Sequence, residues 1–194
     1  FNHATIPDRT AFLMGDSDED PLPAMVADAG QLEAMGASFL VIPCNTAHSF
    51  FDEIERAVSI PVLNIVRQTV LAAKQALPGI TRLGIRATYA MACGDAGITC
   101  VAPDAGVQRE VMSLIYDTVK AGAPVSCKVF EALCDHLRAK GCEGIVLGCT
   151  ELSVAQRACG EKAADVFDSL EVLARTTVET AGKQLKEPSP NRKD

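Results

Sequence analysis

The apolar residues of this chain form short continuous runs, each following a stretch with helical spacing. The runs at 39–42 and 145–147 lack the alternation of a strand with one wet face. They predict strands buried on both faces of a parallel sheet covered by helices. Before each run the helical pattern stops at a glycine, Gly36 or Gly141, which can adopt a left-handed C-cap without a Cβ clash.

The same reasoning extends along the chain. It predicts helices over 25–35, 66–77, 129–140 and 170–185, and further strands over 60–65, 82–85 and 166–169. Strands that alternate with helices indicate an α/β protein.

Each of the two apolar runs leads to a cysteine, Cys44 or Cys149. The copies are offset by 105 positions (149 minus 44), and the same offset relates Gly36 to Gly141. The repeat therefore covers a helix end, a glycine turn, a strand and the exit from that strand. Because ligands of open α/β sheets bind at the carboxyl ends of strands, we expect two equivalent functional positions.

The residues after each cysteine are small and polar: Asn45 and Thr46 in one copy, Thr150 in the other. Such side chains can cap a following helix. A free thiol has a pKa of about 8.5, and a helix start can lower it enough to give a thiolate near neutral pH. The free N–H groups of the same turn can hold a carboxylate. The pattern therefore predicts, in each of the two copies, a thiolate beside an anion-binding turn.

The other cysteines have no repeated surroundings, and we expect them to pack as small apolar side chains. Eight cysteines without regular spacing favour reduced cytoplasmic thiols over a disulfide framework. The absence of a CxxC motif and of a close His/Cys cluster argues against a zinc site. The cysteines interpreted as structural are Cys93, Cys100, Cys127, Cys134, Cys142 and Cys159.

Composition excludes several classes of function. The net charge of −7 and the lack of a Lys/Arg cluster argue against nucleic acid as a partner. No run approaches the roughly 20 apolar residues of a membrane span. A hydrophobic fraction of 48% in 194 residues suffices for one large or two small packed domains. His48 lies one helical turn after Cys44, where packing is the favoured interpretation.

Four segments carry a family resemblance. Pro43-Cys-Asn-Thr-Ala-His48 and Gly148-Cys-Thr-Glu151 resemble the paired motifs of the aspartate/glutamate racemase family, which includes hydantoin racemases and related isomerases. The segments 6–10 (Ile-Pro-Asp-Arg-Thr) and 103–122 resemble the aspartate racemase branch in particular. The similarity extends over most of the chain.

The resemblance implies two similar Rossmann-like α/β domains with parallel sheets. They are related by a pseudo-two-fold axis, with the active site in the cleft between them and the last helix on the first domain. We place the first domain at 1–79 plus 166–186 and the second at 80–165, and the composition of 187–194 predicts a disordered tail. The resemblance also implies a homodimer that uses neither pyridoxal phosphate nor a metal.

The implied activity is that of a cofactor-independent amino-acid racemase, an isomerase. Racemisation takes a proton from one face of Cα and delivers one to the other, which suits two acid/base groups across the substrate. Cys44 and Cys149 would be this pair, one as thiolate and the other as thiol. Because Asn-Thr follows one and Thr-Glu the other, we expect the two thiols to differ in pKa.

The substrate implied by the resemblance is a small acidic amino acid, aspartate or alternatively glutamate. Arg9 and Lys120 match the family positions that bind the distal carboxylate, and Asn2 matches a further polar contact. The turns after the cysteines offer donors for the α-carboxylate. The expected substrate contacts are Asn2, Arg9, Asn45, Thr46, Lys120, Thr150 and Glu151.

Two alternatives stay open on the residues alone. One is a hydantoin racemase, or a cysteine-dependent isomerase or decarboxylase, of the same superfamily. The other is a non-catalytic small-molecule-binding or thiol-redox module in which the cysteine pair is structural or disulfide-bonded. The chain also departs from the family pattern, which has a strand and a Gly-rich turn ahead of Asn2 and a longer segment at 84–97. We therefore expect a first domain without its first strand.

Overall fold

The computed structural model describes residues 5–85, 87–160 and 163–186, in which strands alternate with helices. The α-helices are α1 (Arg9–Met14), α2 (Leu22–Ala34), α3 (Phe51–Ala57), α4 (Ile65–Ala76), α5 (Ala90–Asp95), α6 (Ala105–Ser113), α7 (Cys127–Ala139), α8 (Thr150–Cys159) and α9 (Ser169–Thr180). Short 3₁₀ helices span Thr46–Phe50 and Ala87–Tyr89, and a π-helical segment spans Leu114–Val119. None of the helices in these ranges is long and apolar enough to cross a bilayer.

The strands form two parallel sheets within the described ranges. They are β1 (Leu40–Val41), β2 (Val62–Leu63), β3 (Arg82–Gly84), β4 (Thr99–Val101), β5 (Gly144–Leu147) and β6 (Val166–Asp168). β1 pairs with β2, and the larger sheet has the order β4-β3-β5-β6. Every pairing is parallel. The predicted α/β class with parallel sheets is confirmed.

The repeated helix–glycine–strand pattern is present in both copies. Gly36 follows α2 with φ +89° and Gly141 follows α7 with φ +80°, the left-handed conformation expected at these helix ends. β1 and β5 then begin within four residues of the glycines. The local sequence therefore determines the turn that leads into each of the strands that precede the two cysteines.

Burial differs between the two strands. All four residues of β5 are buried, as expected for a central strand of a parallel sheet. In β1, Leu40 packs against α2 and α3, but Val41 is 39% exposed. The prediction of burial on both faces is wrong for β1. Successive side chains point to opposite faces of a strand, and the face of Val41 is left partly open in the described part of the chain.

The last strand and the last helix both pack with the larger sheet. Helix α9 lies against α4, and both helices share an apolar core with the larger sheet. Strand β6 joins the larger sheet, with Val166 beside Ile145 of β5. The predicted boundary at 166 places this strand with the first half, and its backbone pairing to β5 corrects that assignment. The rest of the domain division stays a prediction.

The structure contains a disulfide bond between Cys127 and Cys159. Helices α7 and α8 pack together, which brings the first residue of α7 within 5.2 Å, Cα to Cα, of the last residue of α8. The expectation of reduced thiols throughout is wrong for this pair. Sequence spacing could not reveal it, because 32 residues separate the two cysteines. Cys93, Cys134 and Cys142 are free and buried, and Cys100 is free and half-buried.

The close contact between β3 and α7 generates a stability prediction. A Cβ atom on Gly84 would lie 2.9 Å from Leu137 Cδ1 and 3.1 Å from Leu137 Cβ. We expect Gly84→Ala to lower the free energy of unfolding by about 1–3 kcal/mol, because α7 must move away from the sheet. Urea denaturation measures the change.

The matched control is Gly30→Ala. Gly30 lies inside α2, and an added methyl group there would have no atom within 4 Å other than those of the adjacent helix backbone. Alanine should raise the free energy of unfolding by about 0.5–1 kcal/mol through its higher helix propensity. A Gly84→Ala protein as stable as the unsubstituted one would contradict the packing described.

Candidate active site

A polar cavity of about 180 Å³ contains both repeated cysteines in its wall. Cys44 follows β1 and Cys149 follows β5, so the carboxyl ends of strands from both sheets meet there. The cavity also gathers the other predicted contacts that lie in the described residues: Arg9, Asn45, Thr46, Lys120, Thr150 and Glu151. Asn2 lies outside the described residues.

The turns after the cysteines differ from the predicted caps. Asn45 precedes the 3₁₀ helix Thr46–Phe50, and Cys149 itself occupies the N-cap position of α8. Neither helix start has a side-chain cap hydrogen bond. The prediction of capping by Asn45, Thr46 and Thr150 is therefore wrong. Asn45 bonds to distant side chains instead, and the Thr150 hydroxyl donates to Glu151 Oε2 at 3.1 Å.

The Asn45 side chain faces the interior rather than a ligand. It is 4% exposed, its Nδ2 donates to Ser169 Oγ at 3.0 Å, and its Oδ1 accepts from the Tyr89 hydroxyl. Ser169 in turn donates to the carbonyl of Leu147 at 2.7 Å. The residue after Cys44 is thus connected through Ser169 to a residue two positions before Cys149.

The His48 ring holds the backbone of Cys44. Its Nε2 accepts from the Ile65 N–H at 3.1 Å, so Nδ1 carries the proton and donates to the Cys44 carbonyl at 2.9 Å. The ring stacks on Phe51 at 5.5 Å between centroids. Burial lowers the pKa of His48, against the opposing effect of its backbone bonds. A neutral ring therefore ties the first cysteine segment to the start of α4.

Cys149 has a carboxylate partner. Its Sγ donates to Glu151 Oε2 at 2.7 Å. Burial first, and the bond to Glu151 second, raise the pKa of Cys149 to about 11. Burial raises the pKa of Glu151, but the bond from Cys149 and the other donors lower it below its usual range overall. The expected thiolate near neutral pH is therefore wrong for Cys149, because burial and the nearby carboxylate outweigh the helix start.

The two predicted cations are already engaged. Lys120 Nζ lies 4.3 Å from the Tyr116 ring centroid and 3.9 Å from Glu151 Oε1. Arg9 Nη1 donates to the Pro7 carbonyl at 3.0 Å. Asp8 and Glu151 line the same cavity, so two acidic groups balance the two basic ones. Glu151, predicted to contact substrate, contacts Cys149 and Lys120 in this state.

The sequence profile of the Asp/Glu/Hydantoin racemase family matches residues 1–177. The chain belongs to this family. A solved aspartate racemase from Picrophilus torridus superimposes with a TM-score of 0.73 at 26% identity, covering 96% of this chain and 80% of that one.

Two relatives within reach of sequence comparison are also racemases. The broad specificity amino-acid racemase RacX of Bacillus subtilis is 43% identical over 54 residues, 27% of this chain and 24% of RacX. The glutamate racemase of Corynebacterium kroppenstedtii is 29% identical over 140 residues, 68% of this chain and 48% of that enzyme. The match thus spans less than half the length of either relative.

Sequence reasoning missed several residues of this racemase-family site. His48 was interpreted as packing, although its position one turn after Cys44 was a usable signal. Tyr116 lies in the 103–122 segment that resembles the family, and its position four residues before Lys120 brings the two side chains together on a helix. Tyr89 and Ser169 gave no signal, because their partners are distant in the chain. No group of three or more metal-binding side chains occurs in the described ranges.

The bonds of His48 predict a dependence on its polar atoms. His48→Phe keeps the stacking on Phe51 but leaves the Ile65 N–H and the Cys44 carbonyl unpaired, which should cost about 1–3 kcal/mol of unfolding free energy. His48→Gln retains a donor and an acceptor and should cost less. Urea denaturation distinguishes the two variants, and equal losses would contradict the role of the hydrogen bonds.

The sign of the pH effect follows from the lowered pKa. As the pH falls, the unfolded chain takes up a proton at His48 near the ordinary pKa of 6.5. The folded protein takes up this proton only at a lower pH. Stability from this group is complete above that pH and is lost as the pH falls toward the folded-state pKa. His48→Gln should remove this part of the pH dependence of unfolding.

The Cys149–Glu151 contact predicts a second titration. In Glu151→Gln the carboxylate charge is gone, so the pKa of Cys149 should fall below its value of about 11, while burial still keeps it from falling further. Alkylation of Cys149, followed against pH by peptide mass spectrometry, measures the midpoint. Glu55→Gln, on the exposed side of α3, is the control and should leave the midpoint in place. An unmoved midpoint in Glu151→Gln would refute the coupling.

Proposed function

We propose that this protein is a cofactor-independent racemase of an acidic amino acid, aspartate or glutamate, in which Cys44 and Cys149 transfer protons at Cα. The observation that carries the proposal is the shared cavity. Both cysteines, from equivalent strand ends, line it together with Arg9 and Lys120. Two proton-transfer groups and two cations in one cavity suit a substrate with a reactive Cα and a distal carboxylate.

The protonation of Cys149 gives the reaction a starting direction. With Glu151 ionised and bonded to it, Cys149 rests as the thiol and acts as the acid. Cys44 is the other thiol in the cavity wall, and it takes the role of the base. Cys44 takes the Cα proton from one face, and Cys149 delivers its own proton to the other. The opposite substrate hand is converted by the reverse transfers.

The carbanion formed between these steps needs stabilisation at the α-carboxylate. Backbone N–H groups at the start of α8 and of the 3₁₀ helix after Asn45 lie beside the cysteines and supply it. The Thr46 hydroxyl in the cavity wall is a further donor. Because Asn45 is engaged with Tyr89 and Ser169, its backbone rather than its amide serves the substrate.

The distal carboxylate displaces Glu151 from Lys120. Lys120 is 42% exposed and its Nζ lies 3.9 Å from the Glu151 carboxylate, a contact that supports binding of a substrate carboxylate at this amine. Arg9 completes the contact from α1. A hydantoin has no such carboxylate, so the two cations favour an acidic amino acid over the hydantoin alternative.

We place this chemistry in a cleft between two α/β halves, one around β1 and β2 and the other around the larger sheet. The repeated turns and strands support a pseudo-two-fold relation between them. The homodimer is proposed from the family resemblance alone.

Proton exchange at Cα tests the function. In D₂O the protein should exchange the Cα proton of L-aspartate or L-glutamate and form the D-isomer, followed by NMR and chiral chromatography. Cys44→Ser and Cys149→Ser should each slow racemisation by about 10²- to 10⁴-fold, because a hydroxyl is a far weaker acid/base partner.

Cys100→Ser is the matched control, since this free cysteine lies in β4 outside the cavity wall. It should racemise at the unsubstituted rate. Full activity in Cys44→Ser or Cys149→Ser would sink the two-thiol mechanism, and exchange with a hydantoin but with neither amino acid would reassign the substrate.

A further inference from the structure

A second cavity lies behind the strand end that carries Cys149. It measures about 60 Å³ and lies between the larger sheet and helices α6 and α7. Its wall is apolar, and no charged side chain contributes to it in the described part of the chain. The main contributors are Val111, Phe130, Leu133, Leu137, Ile145 and Leu152.

This cavity opens at the carboxyl edge of the larger sheet, where α/β proteins bind ligands. Gly84 and Ile85 at the end of β3, Pro103 after β4, and Cys149 after β5 form that end of it. It shares Ile115, Gly148 and Cys149 with the polar cavity but none of the latter's charged groups. The two cavities therefore adjoin and differ in the chemistry they accept.

One polar group in this wall lacks a partner. The amide nitrogen of Gln108 is shielded from solvent and has no hydrogen-bond acceptor within the described residues. An unpaired buried donor is unfavourable, and native proteins leave few of them. Small-molecule pockets are mostly apolar, with a few placed polar groups that fix the orientation of the ligand.

Helix α6, which covers the cavity, is only partly buried. None of the residues of α6 is fully buried, and Val107 and Val111 make only partly buried contacts with the core. Helix α6 continues into the π-helical segment that precedes Lys120. A small movement of α6 can therefore admit a molecule without unfolding the sheet, and it would act on the segment that carries Lys120.

We propose that this cavity binds a small uncharged molecule with an apolar body and one hydrogen-bond acceptor, which pairs with the Gln108 amide. An engineered apolar cavity that admits benzene measures about 150 Å³. At about 60 Å³ this cavity is smaller, so binding of a five-membered ring requires α6 to move outward. Because Gly148 and Cys149 form part of the wall, an occupant also supports the strand end that carries the second thiol. This ligand site is distinct from the polar cavity and does not depend on the racemase proposal.

Cyclopentanone and cyclopentane are matched probes, since they differ by one carbonyl. Titration of each into protein with labelled Ile, Leu and Val methyl groups should shift the signals of Leu133, Leu137 and Ile145, which line this cavity and not the polar one. Cyclopentanone should bind about tenfold tighter, the difference expected of one hydrogen bond. In Gln108→Leu that advantage should vanish, while cyclopentane binds at least as well as before.

Two further variants keep the test decisive. Val111→Phe should fill the cavity and abolish both shifts, and Gln31→Leu on the exposed side of α2 should change nothing. The proposal fails if neither probe shifts the cavity methyl groups, if Gln108→Leu keeps the preference for the ketone, or if the shifts arise only around the polar cavity. Each readout is binding, so loss of racemase activity leaves the result interpretable.

Discussion

The buried hydrogen bonds of Asn45 determine where the two cysteine segments meet. Asn45 follows Cys44, accepts from Tyr89 and donates to Ser169, which bonds the Leu147 carbonyl just ahead of the second cysteine. Asn45, Tyr89 and Ser169 are all almost fully buried. In that interior an unpaired polar group is costly, so the network holds only when its members stay together. The cavity between the thiols depends on this connection.

The repeat places Cys44 and Cys149 at equivalent strand ends, but the groups that contact the two residues differ. The Cys149 thiol donates a hydrogen bond to the Glu151 carboxylate, and this bond helps to keep the thiol protonated. Cys44 is held through its backbone by His48 instead. The strand end at Cys149 also separates a charged cavity from an apolar one. As we propose, the strand end at Cys149 takes part in proton transfer on one side and contacts a small ligand on the other.

Features that depend on neighbours within a few residues could be derived from the sequence. The glycine turns at Gly36 and Gly141, the strands that follow them, and the positions of Cys44 and Cys149 at the strand ends all agree with the pattern. They follow from backbone preferences and hydrophobic periodicity, which act locally. The family motifs also led to the residues that line the cavity.

The sequence by itself therefore determined the fold class, the repeat and the identity of the two thiols. Only the tertiary structure decided their surroundings: the raised pKa of Cys149, the inward turn of Asn45, the exposure of Val41, and the bond between Cys127 and Cys159. Protonation, burial and disulfide pairing depend on groups that the fold brings together from distant parts of the chain. The local hydrophobic pattern of the sequence does not show which groups these are.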